Sequence, residues 1–429
     1  MTEIELKQKM KGLWVDTFHD SEEYVDLIFD TYFNPELVEY EEQGGEVVSA
    51  LLGVPYEFGN SDCKVKALYL CGLATNARYR SRGIMSRLLE RINARAREAG
   101  YAFTFLIPAD SGLRLYYRDR GYVNAFYRVI DNYTSIHDFN LEYESLLLEQ
   151  KDKVAGLKRR FFESLCSGRL DSLKSDDERY AVENGIVDLI QEIESCQRDL
   201  RIIHSEKDLR TAISENSVDK SGEIFYVTNS SGKVTAAAFT VRKDKNSPVE
   251  LRRAYASDTG SRFKLFQEVK SAYPDSAMQV YLSSVDMDRK ALWYRTYGSV
   301  MPESSQTAAI SVSERVYSLS AHTKVYGMVK ILSLYEILKF MAETSRDLKY
   351  SILVREQGGV SKVKKYMVRN GKISMLSMQE EEIVGNAATD IMSVRDVAEI
   401  IFRRRDGDNL ITEAFGIPSI NASISLMLD

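Results

Sequence analysis

Leu68-Tyr69-Leu70-Cys71-Gly72-Leu73-Ala74-Thr75-Asn76-Ala77-Arg78-Tyr79-Arg80-Ser81-Arg82-Gly83-Ile84-Met85 is the stretch that decides the fold. Residues 68–75 read as a strand, residues 76–83 as a basic loop, and Ile84 opens the clearest helix of the chain. From there Leu88, Leu89, Ile92, Ala96 and Ala99 recur at helical spacing, while Arg87, Glu90, Arg91, Arg95 and Arg97 take the other faces. Gly100 stops the helix, and residues 102–107 (AFTFLI) read as a buried strand. Such a unit sets the loop at a helix N-terminus. Free backbone N–H groups, the helix dipole and the cations Arg80 and Arg82 would all favour a phosphate there. Gly83 would allow close backbone approach.

Working outward, the unit recurs. Leu115-Tyr116-Tyr117-Arg118-x-x-Gly121-x-Val123 returns as Leu292-Trp293-Tyr294-Arg295-x-x-Gly298-x-Val300, an offset of 177 residues (292 − 115). The same offset carries Gly83 onto Gly260, Leu88 onto Leu265, Leu89 onto Phe266, Ile92 onto Val269, and Phe103 and Phe105 onto Val280 and Leu282. One constant offset through a glycine turn, a helix and a strand points to a duplicated α/β unit. Arg80-Ser81-Arg82-Gly83 in the first copy faces Ser257-Asp258-Thr259-Gly260 in the second. Both cations are lost and an acid is gained, so the second copy reads as structural.

The rest of the chain fits a multidomain protein of 429 residues, with 44% hydrophobic and 28% charged residues. Residues 9–33 carry the pattern of one or two helices, and residues 45–52 and 64–70 read as strands. Residues 141–200 are charged and poor in strand formers, and read as amphipathic helices linking two α/β units. Strands resume at 223–228, 233–242, 248–255 and 278–284, with Asn-Ser-Ser-Gly at 229–232 as a hairpin turn. A helix is expected over 328–342, strands over 350–355, 362–368 and 373–378 with an Asn370-Gly371 hairpin, and a helix over 393–404 capped by Ser393 and Asp396. A net charge of −6 provides no overall basic field for nucleic acid. Four scattered cysteines and four scattered histidines argue against a metal site or a disulfide framework. No run reaches the ~18 apolar residues of a membrane span, and the first residues lack a signal-peptide pattern. A cytoplasmic protein is the expectation.

With its flanking strands and the Tyr117-Arg118-x-x-Gly121-Tyr122 element, Arg80-Ser81-Arg82-Gly83-Ile84-Met85 resembles motif A of the GNAT superfamily of N-acetyltransferases. Gly72-Leu73-Ala74-Thr75-Asn76-Ala77-Arg78-Tyr79-Arg80 is similar to the version found in the enhanced intracellular survival (Eis-like) family. Ala77 stands where that family commonly has proline, and Met85 departs from the usual small residue. The resemblance implies an α/β (α+β) chain of tandem GNAT-fold domains, the second degenerate, and a C-terminal sterol-carrier-protein-like domain. The expected divisions are a catalytic GNAT domain over 1–140, a helical connection over 141–200, a degenerate GNAT-like domain over 201–323 and the third domain over 324–429.

Residue by residue, the resemblance implies acetyl-CoA as cosubstrate and no metal. Leu73, Ala74 and Thr75 would run along the pantetheine arm, Leu73 and Thr75 through backbone hydrogen bonds. Arg80, Ser81, Arg82, Gly83, Ile84 and Met85 would cradle the pyrophosphate. Tyr117 matches the family's catalytic tyrosine, and a phenol with pKa ~10 suits protonation of a leaving thiolate. Tyr116 is its rival. The C-terminal carboxylate, at Asp429, would be the base that takes the acceptor's proton. Trp14, Phe18 and Tyr24 are either core residues or part of the acceptor pocket. An acidic pocket would suit an aminoglycoside, polyamine or lysine-like acceptor. The resemblance further implies a homo-oligomer, a hexamer being one form. The competing readings are a lipid- or small-molecule-binding protein with a vestigial transferase unit, and an assembly scaffold.

Overall fold

The computed structural model describes residues 1–133, 163–196, 200–218, 222–283, 322–355, 362–379, 383, 391–403 and 422–423. Helices α1 (Glu3–Phe18) and α2 (Glu22–Tyr32) come first. Thr2 and Ser21 cap them by accepting from Glu5 and Tyr24 backbone N–H groups. Strands β1 (Val38–Gln43), β2 (Glu46–Gly59) and β3 (Lys64–Thr75) form an antiparallel meander, followed by α3 (Ile84–Glu98), β4 (Phe103–Leu106), α4 (Ser111–Arg118) and β5 (Val123–Tyr133).

Next along the chain come β6 (Cys166–Arg169), α5 (Asp176–Cys196), β7 (Leu200–Ile203), α6 (Glu206–Val218), β8 (Gly222–Thr228), β9 (Val234–Val241), β10 (Val249–Ala256), α7 (Thr259–Ala272) and β11 (Met278–Ser283). The last described elements are β12 (His322–Ile331), α8 (Leu334–Thr344), β13 (Lys349–Arg355), β14 (Lys362–Arg369), β15 (Lys372–Gln379), β16 (Ile391–Ser393), α9 (Val394–Ile401) and β17 (Ala422–Ser423).

Thirteen of these strands join in one sheet, and β13–β16 form a separate four-stranded sheet in the order β15-β14-β13-β16. Within the large sheet β3 and β4 run parallel with α3 between them, and β10 and β11 run parallel with α7 between them. The elements linked by the 177-residue offset are therefore equivalent elements of two α/β units. The Leu292–Val300 part of the repeat lies outside the described residues.

The units share their sheet. Strand β5 pairs antiparallel with β11, from Arg128↔Ser283 to Tyr133↔Met278. Strand β12 lies between β4 and β5, pairing antiparallel with both. The pairings of β12, β4, β3, β2, β7, β17 and β5 close on themselves. Burial follows the alternation of strand side chains. On β3, Leu68 and Leu70 meet Leu88, Leu89 and Ile92 of α3, while Ala67, Tyr69 and Cys71 face Phe103, Phe105 and Phe126.

Several sequence expectations change here. Met328–Ile331 are strand, not the start of a helix, and α8 begins at Leu334. Their apolar run suits either element, and pairing of Met328–Ile331 with Leu106–Phe103 selects the strand. The expected division at 323/324 therefore falls inside β12. Residues 141–200 are not simply helical. Residues 134–162 lie outside the described residues, but Cys166–Arg169 pairs with β8, and α5 buries Ile186, Val187, Leu189 and Ile190 in the second unit's core. Cys-Ser-Gly-Arg carries no strand pattern, so its ladder depends on β8. The Asn370-Gly371 turn is as expected, with both residues at positive φ.

Candidate active site

The site begins where β3 and β4 part. Their parallel register ends at Tyr69↔Phe105, although β3 continues to Thr75. Beyond that point the β4-facing edge of β3 has no β4 partner, so its backbone groups face a gap. A bulge sharpens the break: Ala74 opposes Ala50 but Cys71 opposes Leu52, leaving Gly72 and Leu73 against Leu51. Gly72 has φ +57°, and a Cβ there would overlap Cζ3 of Trp14. Glycine is thus required both by the backbone and by the indole lying on it. We expect Gly72→Ala to lower stability by at least about 2 kcal/mol, read as a fall in denaturation midpoint; unchanged stability would contradict this packing.

The gap opens into a cleft of about 630 Å³. Leu70–Leu73 and Leu106–Ala109 line it, with Leu113 and Tyr117 from α4, Trp14, Phe18 and Tyr24 from the N-terminal helices, and Asp20 from the connection between those helices. Arg128, Ile130, Tyr281, Lys324, Val325 and Tyr326 come from β5, β11 and β12, and Lys243, Glu250 and Arg252 from the second unit. Trp14 donates its indole N–H to Asp20 Oδ2 at 2.8 Å and packs edge-on against Phe18 and Phe29. Trp14, Phe18 and Tyr24 therefore line the cleft, Trp14 while also packed in the core.

Two neighbouring tyrosines are separated by the helix they share. Tyr117 points into the cleft, is 6% exposed, and packs edge-on against Tyr116 and Tyr122. Burial raises its phenol well above the usual range. Tyr116 is tied elsewhere. Its hydroxyl meets Ser86 Oγ at 3.3 Å, and the Arg120 guanidinium lies 3.4 Å from its ring centroid. Arg120 also donates to Tyr116 O and to Ser86 Oγ. Cys71, in the same cleft, has its thiol pushed up to about 12 by burial alone.

The basic loop lies past the end of β3. Ser81 and Gly83 take left-handed backbone, and Gly83 occupies the N-cap of α3 without a capping side chain. The first N–H groups of α3 are thus left open. Arg80 Nε donates to Thr75 O, Arg82 Nη2 to Arg78 O and Arg87 Nη1 to Arg82 O, so guanidinium groups occupy the loop's carbonyls. Arg78, Arg80 and Arg82 are exposed. Thr75 Oγ1 is engaged by Ser49 Oγ at 2.8 Å, the Ala74 carbonyl accepts from the same Ser49 hydroxyl, and the Ala74 side chain is buried. Ile84 packs into the core under α3 and Met85 lies against it.

The second unit closes the same position. Eight residues, Asn76 to Gly83, separate β3 from α3, whereas only Ser257 and Asp258 separate β10 from α7. Asp258 caps α7, accepting from Ser261 N at 2.8 Å and Ser261 Oγ at 2.7 Å. The copy differs by loop length as well as by charge. Asp258→Ala should cost about 1 kcal/mol of stability and leave coenzyme binding unchanged; weakened binding would contradict a purely structural cap.

The expected site residues 73–75, 80–85 and Tyr117 fall along one path, from the loop through the splayed strand into the cleft. Asp429 lies outside the described residues. Among those described, no cluster able to hold a metal ion occurs. Sequence reasoning missed the cleft's charged residues Asp20, Arg128, Lys243, Glu250, Arg252 and Lys324. Asp20 follows the Trp14–Phe18 run closely enough to have been considered. The others reach the cleft only through pairings between distant strands.

Residues 2–125 match the family model of the acetyltransferase (GNAT) domain. No curated protein sequence matches the chain. Solved structures with similar folds include a probable N-acyltransferase from Enterococcus faecalis V583 (12% identity, TM-score 0.61, 98% of this chain and 96% of that one). A GCN5-related N-acetyltransferase from Kribbella flavida aligns at 14% identity and TM-score 0.60, covering 100% and 98%. Eis1 from Mycobacterium abscessus aligns at 8% identity and TM-score 0.59, covering 97% and 92%. Domains of this kind take acetyl-CoA as cosubstrate, and the open helix N-terminus, basic loop and splayed strand fit its phosphates and its arm. Residues 2–125 thus match the acetyltransferase (GNAT) domain of acyl-transferring enzymes, within an overall fold shared with solved GCN5-related N-acetyltransferases.

Proposed function

We propose that this protein transfers the acetyl group of acetyl-CoA to a primary amine by direct attack, within an Eis-like arrangement of three domains. The observation that carries the reading is the pair of helix N-termini. The first is uncapped behind a basic loop, and its duplicate is shortened and sealed by Asp258. A vestigial transferase unit would have no reason to keep one site open, which weighs against the binding-protein and scaffold alternatives.

When bound, acetyl-CoA supplies an activated thioester. Arg80, Arg82 and the N–H groups from Ser81 to Met85 would hold the pyrophosphate; Leu73 and Thr75 would hold the arm through their backbones. Tyr117 would hydrogen-bond the departing sulfur and give it a proton. The unperturbed pKa suggested a close match between phenol and thiolate, but burial lifts the phenol. Burial keeps the Tyr117 phenol protonated in the resting site.

The Asp429 carboxylate is the proposed base. Strand β17 runs parallel to β5, with Ala422 opposite Phe126. That direction leads along β5 toward Arg128, which lines the cleft, and six residues can span ~20 Å. Deleting residues 424–429 should lower kcat by about tenfold or more without weakening acetyl-CoA binding; full activity would remove Asp429 from the mechanism.

Because the phenol stays protonated above its ordinary range, kcat/KM should rise with pH as the amine deprotonates. It should show no acid-loss limb below about pH 10. A decline beginning near pH 8 would contradict Tyr117 as the acid. Acetyl-CoA consumption with thiol release across a panel of amines tests the function as a whole.

A further inference from the structure

Helix α4 has eight residues, and Tyr117 alone of them is buried. A helix that short does not hold its own shape. The place of the Tyr117 side chain therefore depends on what fixes the chain just after it. There Gly121 takes left-handed backbone at φ +87°. Its N–H donates to Arg118 O at 3.0 Å, and the Tyr122 N–H donates to Tyr117 O at 3.2 Å. This is the Schellman form of helix end. Its usual side-chain contact is made by the rings of Tyr117 and Tyr122, edge-on with centroids 5.9 Å apart.

Two anchors hold that turn from outside α4. The first is the Tyr122 hydroxyl. It lies 3.2 Å from Thr104 Oγ1 of β4 and accepts from Asn93 Nδ2 of α3 at 3.3 Å, while Thr104 Oγ1 donates to Asn93 Oδ1 at 2.6 Å. All three residues are buried, so each lost bond would strand a polar group away from water. The second anchor is Lys330 of β12. Its Nζ donates to Arg120 O at 2.9 Å and stands 5.9 Å from the Tyr122 ring centroid. A cation on the carbonyls at a helix end is favourable. Neither Tyr122 nor Lys330 lines the cleft, so both reach it through the turn.

We propose that Tyr122 and Lys330 are positioning residues for the acid, and that together they set the place of the Tyr117 phenol. Tyr122 acts from the layer of α3 and β4, and Lys330 from a strand 210 residues beyond Arg120. The inference rests on the reading of Tyr117 as the acid. A reacting group displaced by ~1 Å can lose ~100-fold in rate, so a modest shift of the turn reaches the chemistry.

Thiol release from acetyl-CoA by the full chain tests this, with hydroxylamine and with butylamine as small acceptors. Tyr122→Phe removes one hydroxyl and keeps the ring; Lys330→Met removes the donor and keeps the stem. Each should lower kcat by about tenfold while changing the KM for acetyl-CoA less than about twofold. Lys330→Arg restores a donor and should recover most of the loss. Placed on Tyr117→Phe, the same two substitutions should change kcat less than about twofold, because no hydroxyl remains to be placed. Denaturation midpoints establish that the variants fold, and either anchor alone carries the test if the other variant does not. The full loss repeated in the Tyr117→Phe background would overturn the inference, as would undiminished kcat in both Tyr122→Phe and Lys330→Met. Full kcat in Tyr117→Phe itself would instead remove the acid beneath it, and the inference with it. No enzyme-dependent thiol release with either amine would overturn the transferase reading as a whole.

Discussion

Tyr117→Phe should lower kcat by about 100-fold, while Tyr116→Phe changes it less than about threefold. The two substitutions remove the same atom from adjacent residues of one helix, so they separate chemistry from packing. Phenylalanine keeps the ring contacts of Tyr117 with Tyr116 and Tyr122, and the fold should survive. What disappears is the protonated hydroxyl of a cleft-lining tyrosine. A departing thiolate there then lacks a donor. At Tyr116 the lost hydroxyl meets Ser86, and Arg120 continues to stack on the ring and hold Ser86. Steady-state thiol release at saturating acetyl-CoA reads both variants. Similar losses in the two would remove the acid role from Tyr117.

Replacing Asn76–Gly83 with the Ser-Asp pair that joins β10 to α7 should abolish acetyl-CoA binding. The substitution imposes on α3 the closure seen at α7. A carboxylate would cap the helix, occupy its free N–H groups and repel a pyrophosphate. The loop's arginines would go with it. Since a shortened loop also pulls β3 toward α3, Arg80→Ala/Arg82→Ala serves as the milder variant. With loop length kept, the double substitution should raise the dissociation constant for acetyl-CoA by about 100-fold, at roughly 1.5 kcal/mol per charge-assisted contact. Calorimetric titration measures both. Undiminished binding in the double variant would place the phosphates elsewhere.

Local structure was largely readable from the sequence. The helix at Ile84–Glu98 declares itself through periodicity and its terminal Gly100, and the hairpin at Asn370-Gly371 through its turn residues. The constant offset identified the duplicated helix and strand. The readable elements share a cause: their signals lie within a few turns of chain. The 177-residue alignment failed at the loop for a physical reason. It tracked α3 and β4 onto α7 and β11, and the shortened connection before α7 carries no residue pattern to announce its length. Strand β12 was misread because Met328–Ile331 are apolar without being periodic, and only β4 and β5 make them strand. For the same reason the loop and Tyr117 could be nominated from sequence, whereas Lys324, Arg128 and Lys243 could not. Their meeting depends on strands brought together across about 200 residues of chain.

The open end of α3 and the splayed β3 form the proposed acetyl-CoA site. Thermal denaturation of the full chain against increasing acetyl-CoA tests it most directly. The midpoint should climb by several degrees as the coenzyme exceeds its dissociation constant, with the climb abolished in Arg80→Ala/Arg82→Ala. A midpoint insensitive to acetyl-CoA at millimolar concentration, or one that rises equally in the double variant, would contradict it.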